Sequence, residues 1–154
     1  MTYVGTGETD ARLAPPAQVL DLGATRVRVL ADVAATDGRY SLYGLDLPAD
    51  GGTATPHFHR TFSESFLVLD GEVELYDGRE WVAVGAGAHL YIPPGSVHGY
   101  RNHSGQPASM LMLTCPGARR EDYFAALAEI AAGGRRPSPE EWTALLAAHD
   151  QYSV

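Results

Sequence analysis

Short apolar runs separated by Gly, Pro and Asp constrain the fold of this chain more than any other feature of its sequence. Between about Ala17 and Thr114 these turn residues recur at short intervals, and the segments between them are rich in Val, Leu and Tyr. Segments of this length and spacing are typical of strands in an all-β sandwich or barrel. The predicted strands are Val19–Leu22, Arg26–Ala31, Tyr40–Leu47, Ser65–Leu69, Glu72–Tyr76, Trp81–Val84, His89–Ile92, His98–Asn102 and Ser109–Thr114.

Two connections between these segments have recognisable turn or loop chemistry. Asp77-Gly78 separates two strand-like runs, and both residues tolerate positive φ, so the pair predicts a two-residue hairpin turn. The stretch from Pro48 to Pro56 is rich in Gly and Thr, which predicts a loop rather than a strand or a linker.

The pattern changes after Cys115. Apolar residues then recur at helical spacing until the Gly133-Gly134 pair, which predicts the end of a first helix. Ser138-Pro139-Glu140-Glu141 is a capping-box pattern with proline at the first helical position, and it predicts the start of a second helix. Short amphipathic helices cannot bury their apolar faces alone, so we expect this tail to pack on the barrel or on a partner subunit. The predicted organisation is an N-terminal arm (1–16), a β-barrel (17–115) and a helical tail (116–154).

Composition and charge narrow the range of functions. With 154 residues, 45% of them hydrophobic, the chain should form one domain with a core of its own. A formal net charge of -8 argues against a nucleic-acid partner, because such binding depends on contacts with phosphate groups. Lysine is absent, which excludes Schiff-base chemistry and lysine general bases.

The sequence gives no sign of a membrane or an oxidising compartment. No segment approaches the roughly eighteen consecutive apolar residues of a membrane span. Residues 1–10 lack the basic start and apolar core of a targeting signal. We therefore expect a cytoplasmic protein that does not bind membranes. Cys115 is the single cysteine, and without a visible basic partner it is predicted to be a buried structural thiol.

Histidines and one glutamate form the candidate site. His57 and His59 are two residues apart in a segment predicted to be extended, so their imidazoles can face one ion. Glu64 heads an apolar run, where a buried carboxylate is costly without a partner, and a metal removes that cost. His98 follows the Pro93-Pro94-Gly95 turn. Three imidazoles and one carboxylate suit a divalent transition metal, Fe, Mn, Ni, Co or Zn, without selecting one of them.

The same residues carry a resemblance to a known family. The chain reads Gly51-x5-His57-x-His59-x4-Glu64-x6-Gly71 and then Gly87-x5-Pro93-x-Gly95-x2-His98-x3-Asn102. At every fixed position this resembles the two signature motifs of the cupin superfamily, in particular the quercetinase-like metal-dependent cupins. The resemblance implies a double-stranded β-helix, or jelly-roll barrel, with a metal held by His57, His59, Glu64 and His98. It implies no single reaction, because cupins include dioxygenases, isomerases, lyases, cyclases and binding proteins.

Strand alternation extends the candidate site to a pocket. If Glu64 points inward, so do Phe66 and Val68, and Tyr100 shares the direction of His98. The last predicted strand offers either Met110 and Met112 or Leu111 and Leu113. The predicted substrate pocket is Phe66, Val68, Tyr100, Met110 and Met112, and ordinary barrel packing explains these residues equally well. Glu64 and Tyr100 are the candidate catalytic residues, with Glu64 either a metal ligand or a general base.

Open coordination positions on such an ion favour catalysis over a structural metal. The first hypothesis is a dioxygenase acting on a small enolisable or phenolic compound. The second is a non-oxidative enzyme, an isomerase, dehydratase, lyase or cyclase in a biosynthetic pathway, and the third is a small-molecule-binding protein without turnover. An N-terminal strand and the Trp142 helix face both need cover, which predicts a homodimer.

Overall fold

Residues 11–134 and 136–154 are described by the structure, a computed structural model, and they form two antiparallel β-sheets and two helices. The strands in chain order are β1 (Gln18–Leu22), β2 (Thr25–Ala31), β3 (Ser41–Leu47), β4 (Gly51–Phe58), β5 (Ser63–Asp70), β6 (Glu72–Tyr76), β7 (Trp81–Gly85), β8 (His89–Ile92), β9 (His98–Asn102), β10 (Ala108–Cys115) and β11 (Tyr152–Ser153). The helices are α1 (Arg120–Gly133) and α2 (Pro139–Ala148).

The two sheets share one hydrophobic core. The six-stranded sheet has the order β1-β2-β3-β10-β5-β8, and the five-stranded sheet has the order β11-β4-β9-β6-β7. Tyr43, Leu45 and Phe66 of the first sheet and Val73 and Leu75 of the second belong to the same buried cluster. The all-β prediction is therefore confirmed.

Alternation along β10 decides which of its side chains face the core. Met110 and Met112 are buried, whereas Leu111 and Leu113 are only partly covered. Cys115 lies on the same outward-facing register and is exposed. The prediction of a buried structural thiol is therefore wrong, because the residue falls on the outer side of a strand whose inner side fills the core.

The loop predicted from Pro48 to Pro56 is also wrong, because β4 begins at Gly51. This strand pairs with β9 through register shifts between Gly51 and Ala54 and between Ala54 and His57. Irregular pairing tolerates residues that a regular ladder excludes, such as Pro56, which has no N–H to donate. The glycines and Pro56 of this segment are therefore explained by the irregular pairing of β4, and they do not indicate the absence of a strand.

The hairpin between β6 and β7 is confirmed, but its turn is longer than predicted. The pairing of Tyr76 with Trp81 leaves four residues, 77–80, in the connection. Asp77 Oδ1 accepts hydrogen bonds from the backbone N–H groups of Arg79 (2.8 Å) and Glu80 (3.0 Å). Of this loop only Gly78 has positive φ (95°), so the turn is not centred on Asp77-Gly78.

Both predicted helices are present and pack against the barrel of the same chain. Helix α1 ends at Gly134, which adopts the left-handed conformation (φ 63°), and α2 begins with the predicted capping box at Ser138. Tyr123, Phe124 and Leu146 of the two helices join the hydrophobic core cluster. A partner subunit is therefore not needed to bury these side chains.

Most of the predicted N-terminal arm, residues 1–10, lies outside the described residues, and residues 11–16 belong to no strand or helix. The described segments contain no helix with the length and apolar character needed to cross a membrane.

Candidate metal centre

The fold brings the four predicted ligands to one point in the barrel. His57 lies near the end of β4 and pairs with His98, the first residue of β9, while His59 follows β4 and Glu64 lies in β5. All four side chains are buried, with only 3% of His57 and 3% of Glu64 exposed. One potential ligand atom from each of the four lies within 4.8 Å of the others. These groups, distant in sequence, could therefore bind a single cation.

Backbone carbonyl groups fix the orientation of the three imidazoles. Nδ1 of His57 lies 2.7 Å from the carbonyl oxygen of Thr55, and Nδ1 of His98 lies 3.0 Å from that of Ser96. Nδ1 of His59 lies 2.7 Å from the carbonyl oxygen of Asp150. A carbonyl oxygen can only accept, so each Nδ1 carries the proton and each neutral ring presents the lone pair of Nε2 to a ligand.

The arrangement of the inward-facing atoms fits a bound cation. Nε2 of His98 is 2.8 Å and Nε2 of His59 is 3.8 Å from the same carboxylate oxygen of Glu64. Nε2 of His59 is buried and has no hydrogen-bond partner within residues 11–134 and 136–154. The 2.8 Å contact is a hydrogen bond when Nε2 of His98 carries a proton. Without a proton or a cation among them, the lone pairs and the carboxylate oxygen repel at these distances. A divalent metal supplies a positive charge, and N3O is a donor set that such ions accept.

The site also favours the protonation states that metal binding needs. Burial is the main cause that lowers the pKa of His57 to about 3, and repulsion from His98, in any state where that ring also carries a charge, adds to it. Burial raises the pKa of Glu64, but the imidazoles of His59 and His98, of which His98 lies within hydrogen-bond distance, outweigh this effect and bring the pKa below its usual value. His57 is therefore neutral and Glu64 ionised near neutral pH.

Two segments outside the ligand-bearing strands hold His59 in place. The backbone N–H of Gly95, in the turn before β9, donates to the carbonyl oxygen of His59 (2.6 Å). Asp150, which follows α2, binds His59 through its own carbonyl oxygen. Its carboxylate oxygen Oδ2 accepts from the N–H of Arg60 (3.0 Å), the N–H of Thr61 (2.8 Å) and the Thr61 hydroxyl (2.7 Å). The C-terminal tail is thus part of the support for the metal centre.

A cavity of about 340 Å³ adjoins the centre, and His57 and Glu64 lie on its wall. The barrel contributes Tyr100 and Met112, and the tail contributes most of the rest of the lining. The tail residues are Arg120, Tyr123, Phe124, Leu127, Ile130, Ala131, Trp142 and Gln151. Such a wall, which combines apolar side chains with several polar groups, suits a small organic molecule that carries polar substituents.

The predicted pocket residues separate into two groups. Tyr100 and Met112 line the cavity. Phe66, Val68 and Met110 are buried in the core and are not among the residues that line this cavity, which agrees with the barrel-packing alternative for them. Their side chains point inward, as strand alternation requires. The cavity, however, is bounded largely by the helical tail, whose position the strand pattern does not predict.

Sequence reasoning missed the polar residues that the tail brings to the site, Arg120, Gln151 and Asp150. The helical pattern marked the apolar face of α1, and it gave no reason to single out an arginine at the first turn. Asn102, the last fixed position of the second motif, has a structural role. Its side chain donates to the carbonyl oxygens of Pro48 and Gln106 and accepts from Ser104, so it ties loops together and does not reach the metal centre.

Comparison with known proteins identifies the type of barrel. Residues 45–114 match the family model described as Cupin domain. Quercetin 2,3-dioxygenase of Bacillus subtilis (strain 168) is 26% identical over 102 residues, which are 66% of this chain and 29% of the dioxygenase. The matched region therefore spans less than a third of that relative.

Solved structures share the double-stranded β-helix. The polyketide cyclase RemF from Streptomyces resistomycificus is 28% identical, with a TM-score of 0.52 over 75% of this chain and 79% of the cyclase. An RmlC-like cupin from Shewanella frigidimarina NCIMB 400 is 18% identical, with a TM-score of 0.58 over 79% of this chain and 96% of that protein. The predicted jelly-roll architecture is confirmed.

Proposed function

Because this chain belongs to the cupin superfamily, we propose that it is a metal-dependent dioxygenase that acts on a small enolisable or phenolic compound. One divalent transition metal, Fe, Mn, Ni, Co or Zn, is held by three imidazole Nε2 atoms and the carboxylate of Glu64. The substrate occupies the adjoining cavity.

A single observation carries the proposal. Of the four candidate ligands, His57 and Glu64 lie on the wall of a cavity large enough for a small molecule, while His59 and His98 do not. Four protein ligands leave positions open on a six-coordinate ion, and the side of the centre formed by His57 and Glu64 is where a substrate oxygen has access. A purely structural metal has no need of such access.

The charge of the site selects the form of the substrate. Neutral histidines and one carboxylate leave a divalent ion with one net positive charge, which favours an enolate or phenolate oxygen. When bound, the metal lowers the pKa of a substrate hydroxyl and provides the site for oxygen chemistry. Glu64 holds the cation in this arrangement, and the same carboxylate serves as general base if it leaves the metal.

Tyr100 is the proposed hydrogen-bond donor to the substrate. It lies on the cavity wall, and its ring packs edge-on against Phe66 at a centroid distance of 5.5 Å. Burial, together with the charges of Tyr123 and Glu64, raises the pKa of Tyr100 well above its ordinary value. The phenol therefore keeps its proton at neutral pH and can donate to a substrate oxygen.

Oxygen uptake tests the proposal. Protein reconstituted separately with Fe, Mn, Co or Ni is supplied with a panel of flavonols, catechols and other enols, and we expect substrate-dependent oxygen consumption with at least one metal. Tyr100→Phe should lower the rate and leave metal content unchanged, because it removes a donor and no ligand. Absence of oxygen uptake with every metal and substrate class would contradict the proposal.

The second candidate is a non-oxidative reaction such as ring closure. It is favoured by the similarity to the polyketide cyclase RemF, which extends over 75% of this chain and 79% of that protein. The same site serves either reaction, since an ionised substrate oxygen is the starting point of both. Turnover of a substrate under strict anaerobiosis would favour the cyclase and overturn the dioxygenase.

A further inference from the structure

We propose that Arg120 binds a carboxylate group of the molecule that occupies the cavity, so that the substrate is an acid that also carries the ionisable hydroxyl bound at the metal. The inference deepens the proposed function, because it assigns a charge and a functional group to the substrate of the same cavity. It rests on the contacts of Arg120 and on the charge of the cavity wall.

Arg120 is a buried guanidinium without an acidic partner. Only 4% of the residue is exposed, and among the described residues no carboxylate oxygen lies within 4.0 Å of its side-chain nitrogens. Nε is buried, and no acceptor in the described part of the chain lies within hydrogen-bond distance of it. Buried charges are expensive unless they are paired, so an arginine in this state is expected to have a partner that the chain itself does not supply.

Neutral groups hold the guanidinium in a fixed orientation. Nη1 donates to the carbonyl oxygen of His149 (3.0 Å), and Nη2 donates to Oε1 of Gln151 (2.6 Å). The guanidinium also stacks on the ring of Tyr123, with its central carbon 4.1 Å from the ring centroid. These contacts fix the planar fork without neutralising it, and a fixed fork is the geometry that recognises a carboxylate.

The cavity wall is positive once a metal is present. Among its lining residues, Glu64 and Arg120 are the only ones that carry a full charge at neutral pH. A divalent ion with Glu64 has one net positive charge, and Arg120 adds a second. Glu64 and Arg120 make no ion pair with each other, so these two positive regions attract two separate anionic groups on one ligand. A hydroxy acid with an ionised hydroxyl and a carboxylate satisfies both.

The position of Arg120 suits a role in specificity. It is the first residue of α1 and lies outside the matched cupin domain, which ends at residue 114. The apolar residues Phe124, Leu127 and Ile130 of the same helix line the cavity beside it. Helix α1 therefore provides both the charged group and the apolar surface for a ring or short chain between the carboxylate and the metal.

Calorimetric titration of two isosteric probes tests the inference. The probes are 3,4-dihydroxybenzoate and its amide, 3,4-dihydroxybenzamide, which differ in the charge of one group. They are titrated into Zn²⁺-loaded and metal-free protein, in which no oxygen chemistry occurs. We expect the acid to bind about tenfold or more tightly than the amide in both forms. Equal affinities of the two probes would overturn the inference.

Three variants assign the preference to Arg120. Arg120→Met should abolish it, and Arg119→Met, at a neighbour that is 71% exposed and paired with Asp122, should leave it unchanged. Gln151→Glu keeps the shape of the side chain and places a carboxylate on Nη2 of Arg120, so it should remove the preference for the acid and raise the melting temperature. This variant covers the case in which Arg120→Met does not fold. A preference that survives Gln151→Glu would contradict the inference.

The outcome is separable from that of the dioxygenase proposal. Probe binding is measured without turnover, so a failure to consume oxygen leaves this result intact. Conversely, oxygen uptake with catechols but not with their carboxylated analogues would refute the role of Arg120 and leave the dioxygenase standing.

Discussion

Replacing Asp150 with alanine should weaken both the fold and the metal centre, because this residue joins the C-terminal tail to the segment that carries His59. Oδ2 of Asp150 accepts three hydrogen bonds, from the N–H of Arg60 and from the N–H and hydroxyl of Thr61. Its carbonyl oxygen is the partner of Nδ1 of His59. The variant keeps the carbonyl group but loses the side chain that fixes its position.

The magnitude follows from these contacts and from the backbone. Three partly solvated hydrogen bonds at about 1 kcal/mol each set an upper limit of about 3 kcal/mol, and water recovers part of it, so we expect a loss of about 2 kcal/mol. Asp150 has φ 53°, a left-handed conformation that costs an alanine about 1 kcal/mol and a glycine little. Asp150→Gly should therefore be about 1 kcal/mol more stable than Asp150→Ala. Asp150→Asn keeps an acceptor and should lose the least.

Two measurements check this prediction. Urea unfolding of the metal-free variants gives the order of stability, wild type, Asn, Gly and then Ala. Competition titration with Zn²⁺ should show an affinity about tenfold lower for Asp150→Ala, since outer partners of ligating histidines typically have effects of this size. An alanine variant that matches the wild type within about 0.5 kcal/mol and in zinc affinity would refute the role of the tail, because surface substitutions have effects no larger than this.

Two further predictions concern acid stability and assembly. In the metal-free protein, His57 has a pKa of about 3 in the folded state and its ordinary pKa of about 6.5 in the unfolded state. Between these pH values the unfolded state binds more protons than the folded state. The free energy of unfolding therefore falls as the pH is lowered through this window. Lowering the pH from 7.5 to 5.5 should reduce the free energy of unfolding by about 1.4 kcal/mol through His57, as measured by urea unfolding. In His57→Gln this part of the pH dependence should be absent. A variant whose stability depends on pH as strongly as the wild type would contradict the pKa assignment. We also propose a homodimer, because among the described strands β1 pairs on one side only and Trp142 is 38% exposed. Light scattering should give twice the 16.5 kDa of one chain, and particles of one chain alone would exclude the dimer.

Local chemistry made most of the barrel predictable. Each strand predicted from its apolar run is present, because period-two alternation and turn residues act over a few positions. Met110 and Met112 face the core, as one of the two alternatives for β10 allowed. The incorrect predictions for β4 and Cys115 also have local causes. In β4 the bulges at Gly51 and Ala54 suppress the alternation that marks a strand, and Cys115 lies on the outer side of β10.

The candidate site was predictable only where its members lie on strands or directly beside a strand end. The spacing of His57, His59 and Glu64 is set by alternation and by one turn, and the motif around His98 sets the fourth member. Asp150 reaches His59 across 91 positions of the chain, and nothing in the local pattern indicates this contact. Arg120 enters the cavity because α1 packs on the barrel, which is a tertiary arrangement. Sequence periodicity therefore located the metal ligands and missed the residues that shape the cavity.

Metal stoichiometry tests the central claim most directly, that four side chains bind one divalent ion. Elemental analysis of purified wild-type protein, after dialysis with a divalent transition metal, should give one equivalent of ion per chain. His98→Ala should lose most of it, because Nε2 of His98 lies 2.8 Å from the Glu64 carboxylate oxygen at the centre of the cluster. His103→Ala, which changes an exposed histidine near Glu74, should retain the full equivalent. A full equivalent bound to His98→Ala, or none bound to the wild type, would contradict the assignment.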